Sequence, residues 1–392
     1  MKKLALYIDV ENQGSGVSQY VKSLILALDN LSAGNYELTI VYTVNCWTEY
    51  LDRFSESKKV FVKRSNLINR FYQILFSVGL VYFAKLFARL FDTRVRYLDN
   101  QHFDYIVFPA SDTIACLVKS KVIGTIHDLM HRYERKFKES GGLLIYNYRE
   151  NYYRTLLKSA SIVFVDSNLG KKQALESYRK VSASVNPLPY IAPDYIYNEK
   201  STPSESIKEY LNQKYIFYPA VFWSHKNHLN LLKAMNLLKN RGYDLKLLLG
   251  GKKRLEYNKL KNFVDYNNLE SNVVFLGYIS DNDMICLYKN ALAMVMPTYF
   301  GPTNIPPIEA ILLNCPPIVS NNYAMPEQYG NAALYFNPNE PEQIANAVEL
   351  LLNDENLRME IINNGSKIKD KFSQERFYDN LKSIFKNEKI LN

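Results

Sequence analysis

Twice along its length this sequence alternates short apolar runs with longer helix-patterned stretches. In the first half LALYIDV (4–10), ELTIVYT (37–43), VFV (60–62), DYIVFPA (104–110), VIGTIH (122–127) and SIVFVDS (161–167) each give way to a polar turn or a helix. In the second half YIFYPAVF (215–222), LKLLLGG (245–251), NVVFLGY (272–278), ALAMVMP (291–297) and PIVS (317–320) repeat the pattern. Strands that are apolar throughout are buried on both faces, and strands separated by helices run parallel. The order therefore predicts an α/β protein with two doubly wound parallel sheets. Ligands of such sheets lie beyond the carboxyl ends of the strands.

A segment with four prolines, PLPYIAPDYIYNEKSTPS (187–204), separates the halves. It predicts domains at 1–190 and 205–370 with a linker at 191–204. Residues 66–92 read as one long helix, and 340–391 as almost wholly helical. The opening MKKLALYIDVENQ is broken by Asp9 and Glu11 and reads as a first buried strand rather than a signal peptide. No apolar run reaches the roughly 18 residues of a membrane span. Cys46, Cys116, Cys286 and Cys315 show no metal or redox spacing, which predicts free thiols in a reducing cytoplasm.

Charge is uneven. Residues 1–200 carry 27 basic and 19 acidic side chains, and residues 51–100 alone carry 10 and 4. Arg70, Lys85, Arg89, Arg94 and Arg96 accompany the apolar stretch NLINRFYQILFSVGLVYFAKLFARLF. That combination fits a helix lying on an anionic membrane surface, and equally a core helix with basic solvent positions. No nucleic-acid motif is present, so no nucleic-acid partner is expected.

The segment PTYFGPTNIPPIEAILLNCP (297–316) leaves a strand, turns at Gly-Pro-Thr-Asn and enters a helix opened by Pro306 and Pro307. Unpaired N–H groups at a helix start form a phosphate site. Glu309, one turn further in, can accept two hydrogen bonds from a vicinal diol such as a ribose. Lys226 stands at another predicted helix start, where the dipole disfavours a cation unless an anion lies alongside. Read alone it is as well explained by a solvated surface lysine. Asn227 beside it is a predicted N-cap. His127, closing VIGTIH, can hydrogen-bond or move a proton in a cleft, or can be a structural histidine. Gly14 and Gly16 mark the first strand–helix turn, but Gln19 stands where a dinucleotide fingerprint needs a third glycine. His131 lacks an acidic partner at zinc spacing, so no metal is expected.

Taken together these pieces resemble the retaining glycosyltransferases of the GT-B fold, family 4. The likeness is strongest over 215–350 and includes YPAVFWSHKNHLNLLKA and MPTYFGPTNIPPIEAILLNCPPIV; TIHDLMHR (125–132) and VDSNLGKK (165–172) extend it. The resemblance implies two Rossmann-like domains facing across a cleft, with residues 371–392 as a final helix packing back on the first. It implies catalytic roles for His127 and Lys226. Nucleotide-sugar contacts are implied at Gly14, Gly16, Thr303, Asn304, Ile305 and Glu309, with Lys226 on the diphosphate and Glu309 on the ribose. It further implies no metal, a nucleotide-sugar as substrate rather than cofactor, and a saccharide or lipid-linked glycan acceptor in cell-surface polysaccharide synthesis. The chain would be cytoplasmic or peripheral on the inner face of the membrane.

Two positions depart from the family pattern. Gly301 stands where the E-x7-E motif has its first Glu, and Val221 where many members have an Arg. His225, Lys252 or Lys253 are the candidates to replace that Arg. These departures keep open a catalytically silent GT-B subunit that binds a glycan or a partner enzyme. A nucleotide-sugar epimerase of the same fold is less favoured, because its acidic and basic cleft residues are not visible.

Overall fold

The computed structural model describes residues 1–12, 16–137, 139, 141–197, 201–301 and 304–391. They form two compact units, Met1–Tyr190 with Gln374–Asn392, and Ile191–Ser373.

The first unit holds a seven-stranded parallel sheet in the order β3-β2-β1-β4-β5-β6-β7. Its strands are β1 (Lys2–Ile8), β2 (Tyr36–Tyr42), β3 (Lys58–Phe61), β4 (Tyr105–Val107), β5 (Lys121–Ile126), β6 (Ile162–Val165) and β7 (Ser184–Pro187). The central strand β1 is buried from Leu4 to Ile8, as its unbroken apolar run requires. Edge strand β7, SVNP, has too little apolar character to stand out in the sequence.

The chain returns to this unit in the helix Gln374–Asn387, which packs on the helix Gly16–Ser32. Gln374 donates to the Ser23 carbonyl at 3.0 Å, and Phe377 meets Tyr20 edge-on at 5.9 Å. The Lys2 ammonium closes the end of the chain onto β1 through the carbonyls of Lys389 (2.6 Å) and Ile390 (2.8 Å).

The stretch 66–92 is not the single helix that its period predicts. It is a hairpin of two helices, Asn66–Ser77 and Val81–Phe91. Gly79 makes the corner at φ +80°, a left-handed conformation that costs glycine little and other residues more. Arg94 also departs from expectation. It lies 1% exposed and grips Asp92 with Nε (3.0 Å) and Nη2 (2.7 Å), while Tyr72 donates to the same carboxylate at 3.0 Å. A guanidinium so buried is held in the fold and faces no membrane.

The second unit holds a six-stranded parallel sheet, order β10-β9-β8-β11-β12-β13. Its strands are β8 (Tyr215–Pro219), β9 (Lys246–Gly250), β10 (Val273–Gly277), β11 (Ala293–Met296), β12 (Pro317–Ser320) and β13 (Leu334–Phe336). Strand order reverses between the neighbours β8 and β11, so the loops leaving these two strands part and leave room between them.

Candidate functional site

Both predicted phosphate-binding segments leave the carboxyl ends of β8 and β11. From β8 the chain runs through the single turn Ser224–Lys226 into the helix His228–Asn240. From β11 it runs through residues 297–301 and Asn304 into the helix Ile305–Leu312. Backbone contacts tie the two loops: Tyr299 N–H donates to the His225 carbonyl at 2.8 Å, and the Thr298 hydroxyl lies 3.1 Å from the same oxygen. Asn227 contributes differently from its predicted role. It sits at the N-cap in the left-handed region (φ 58°), but its amide donates to the carbonyls of Pro297 (2.9 Å) and Pro338 (2.7 Å) and caps nothing.

This bracing brings Lys226 to Asn304, whose Oδ1 accepts from Nζ at 3.3 Å. Asn304 is itself fixed: its amide donates to the Gly301 carbonyl at 2.9 Å and its carbonyl accepts from the Tyr329 hydroxyl at 2.8 Å. Among the described residues no carboxylate pairs with Lys226, which is half-buried, and loss of water pushes its pKa down from 10.5 to about 8. A cation with one neutral partner, beside the starts of two helices, is suited to hold an anion.

The Asn304 side chain also explains Gly301. That glycine has φ +113°, and a Cβ there would lie 2.8 Å from Nδ2 and 2.9 Å from Oδ1 of Asn304. The two residues form a matched pair, and a side chain at 301 must displace the amide. Gly301→Ala is accordingly expected to destabilise the second unit by about 1–3 kcal/mol. Urea unfolding measures this, and an unchanged midpoint would show that the turn moves aside freely.

Glu309 is 5% exposed and already engaged on both oxygens. Oε1 accepts from the Tyr195 hydroxyl at 2.6 Å, and Oε2 from the Tyr288 hydroxyl at 2.7 Å. Burial raises its pKa, while the two phenols oppose that rise by bonding the carboxylate. Each oxygen retains a second lone pair for a further donor. No spacing in the sequence announces these tyrosines, since Tyr195 lies 114 residues from Glu309.

His225 does not supply the charge of the missing Arg. Its ring stacks on Phe300 at 4.1 Å, and burial, with Lys226 adding, drops its pKa to about 2. Lys252 and Lys253 are both exposed, and Lys253 lies over the Tyr257 ring at 4.6 Å. Nearby Arg254 lies over Trp223 at 5.4 Å, on the wall of a cavity of about 750 Å³.

In the first unit His127 follows β5. Its Nε2 lies 2.9 Å from the Pro109 carbonyl, which can only accept, so Nε2 carries the proton. Nδ1 therefore accepts from the Tyr190 hydroxyl, at 2.5 Å. Burial lowers the pKa of the ring, which leaves a neutral imidazole with both nitrogens committed. Tyr20 packs edge-on against both rings. Gly16 is exposed at the start of its helix, whereas Gly14 and Thr303 lie outside the described residues.

Residues 199–368 match the family described as Glycosyl transferases group 1. The O-antigen chain mannosyltransferase RfbU of Salmonella typhimurium is 32% identical over 155 residues, 39% of this chain and 42% of that protein. Capsular polysaccharide biosynthesis glycosyltransferase CapM of Staphylococcus aureus is 28% identical over 188 residues, 46% of this chain and 48% of that protein. The chain thus spans less than half the length of these relatives. Among solved structures, a glycosyltransferase from Rickettsia africae superposes with a TM-score of 0.71 at 18% identity, covering 99% of this chain and 98% of that one. Anabaena Alr3699/HepE in complex with UDP-glucose gives 0.70 at 14%, covering 98% and 99%. At these identities the likeness is one of fold, and the fold is GT-B, as the sequence resemblance implies.

Proposed function

We propose, from the match of residues 199–368 to the glycosyl transferases group 1, that this chain is a retaining hexosyltransferase acting in cell-surface polysaccharide synthesis. The single observation that carries the reading is the Lys226 ammonium, held by a neutral amide between two helix starts. It fits the diphosphate of a nucleotide-sugar. The starts of the two helices, at Asn304–Ile305 and His228, add N–H donors to the same anion. Glu309 takes the ribose on its remaining lone pairs.

The first unit takes the saccharide acceptor. His127, with both nitrogens engaged, shapes that unit's site as a neutral group and does not shuttle protons. Two relatives are named O-antigen chain mannosyltransferases, which makes mannose the first donor sugar to try.

In the reaction the bond from the anomeric carbon to the phosphate oxygen breaks and a bond to the acceptor oxygen forms on the same face. The acceptor proton passes to the departing phosphate. Lys226 and the helix starts hold the charge that develops on the diphosphate. The protein groups suffice for this, so turnover is expected to persist in EDTA. The four cysteines form no disulfide, in keeping with a reducing compartment. Among the described residues no helix is long and apolar enough to cross a membrane.

The test is a panel of UDP-, GDP- and dTDP-hexoses, read first by thermal stabilisation and then by product. One donor should raise the melting temperature and yield a glycoside with the donor's anomeric configuration, with or without EDTA. Inverted product, or loss of turnover in EDTA, would overturn the mechanism. Binding with neither transfer nor hydrolysis would favour the silent subunit.

A further inference from the structure

The hairpin Asn66–Ser77 and Val81–Phe91 buries little of its apolar surface. Its second helix is fully buried only at Ala84 and Ala88, so it rests on its small side chains and turns its large ones outward. Leu67 is 78% exposed and Tyr82 77%, with Phe83, Leu86, Leu90 and Phe91 at half or more. Leu143, Leu144 and Ile145 extend this surface, since Ser77 donates to the Leu144 carbonyl at 2.9 Å. Thirteen of the 23 large apolar side chains exposed among the described residues lie in the hairpin and this neighbour, so the patch is concentrated rather than scattered. A groove of about 360 Å³, lined only by apolar residues including Phe71, Leu75, Phe83 and Phe87, runs along it.

Charge selects the occupant. Between residues 66 and 91 there is no Asp or Glu, while Arg70, Lys85 and Arg89 are all present. The nearest acid in sequence, Asp92, is sealed against Arg94. An apolar hairpin that exposes Arg70 and Arg89 and carries no acid of its own matches lipid chains beneath anionic headgroups. A neutral partner would leave the exposed Arg70 and Arg89 without counter-charges.

We propose that this hairpin seats the chain on an anionic bilayer, its outer face among the headgroups and the groove around one acyl chain. The inference does not depend on the transferase reading, although it would bring a lipid-linked acceptor to the first unit.

Co-sedimentation with vesicles tests it. The wild-type chain should pellet with phosphatidylglycerol-containing vesicles and stay in solution with phosphatidylcholine alone. The exposed pair Arg70→Gln/Arg89→Gln should weaken binding by roughly tenfold or more. Phe83→Ser/Leu86→Ser should abolish it. Both variants should keep the wild-type melting temperature and nucleotide response, which separates a failed membrane seat from a failed transferase. No pelleting with either vesicle would overturn the proposal. So would variants that pellet like wild type, or a dimer in sedimentation equilibrium that Phe83→Ser/Leu86→Ser dissociates, because a second copy would then own the face.

Discussion

Replacing Lys226 with methionine is expected to cut kcat/KM by roughly 10²–10³-fold, the usual loss when one charge-stabilising donor is removed. The fold should survive it. Lys226 has no carboxylate to orphan among the described residues, only the Asn304 amide, and methionine fills similar space without a half-buried charge. The melting temperature is therefore expected to hold or rise, and nucleotide-dependent stabilisation to vanish. A Lys226→Met protein with wild-type turnover would remove the diphosphate from this position.

The pH dependence of stability follows from the same lysine. Its folded pKa of about 8 lies below the ordinary 10.5. Below pH 8 it is protonated in both states, and the cost of holding the charge in the fold is complete. Between about 8 and 10.5 the folded chain releases the proton while the unfolded chain keeps it, so stability rises with pH across that window. The Lys226→Met protein should lack this rise.

Glu309→Ala should produce the largest loss of stability among the site variants. It leaves the Tyr195 hydroxyl without its acceptor and leaves the Tyr288 hydroxyl only the Pro306 carbonyl at 3.3 Å, in a place where Glu309 itself is almost fully buried. At about 1–3 kcal/mol for a buried group left unpaired, and with Tyr288 keeping only its longer bond, the loss is roughly 2–4 kcal/mol. In a unit of this size that lowers the melting temperature by roughly 5–15 °C. Donor affinity should fall as well. Adding Tyr195→Phe removes the orphaned hydroxyl and should restore part of the stability without restoring donor binding. If Glu309→Ala melts like wild type, the two phenol contacts do not support the donor helix.

The fold was legible because each central strand is an unbroken apolar run and each connection is helical. Such a pattern leaves few ways to bury the strands except parallel sheets with covered faces. The exceptions have physical causes. β7 is short and polar because an edge strand needs only one partner. The 66–92 stretch breaks at Gly79 (φ +80°), and the apolar period that runs on through it hides the turn.

The site was legible in part. The pattern Pro306-Pro307 followed by Glu309 marks a helix start locally, and Lys226 marks another. What joins them is not local. The pairing of Lys226 with Asn304 spans 78 residues, and that of Tyr195 with Glu309 spans 114. Likewise nothing near His127 in sequence reveals that Tyr190, 63 residues on, takes its second nitrogen. Gly301 looked like a lost carboxylate in the sequence. In the structure its missing Cβ is the space that the Asn304 amide occupies.

In the proposed function Lys226 and the two helix starts hold a nucleoside diphosphate. Calorimetric titration of UDP and GDP into the wild-type chain at about pH 8, in buffers of different ionisation enthalpy, tests it most directly. A diphosphate beside Lys226 favours the charged amine and raises its pKa. Binding of one nucleotide should then draw protons from the buffer, weaken as pH rises beyond 8, and lose its proton uptake in Lys226→Met. Binding of neither nucleotide, or binding with no proton exchange and the same affinity in Lys226→Met, would mean that Lys226 holds no diphosphate.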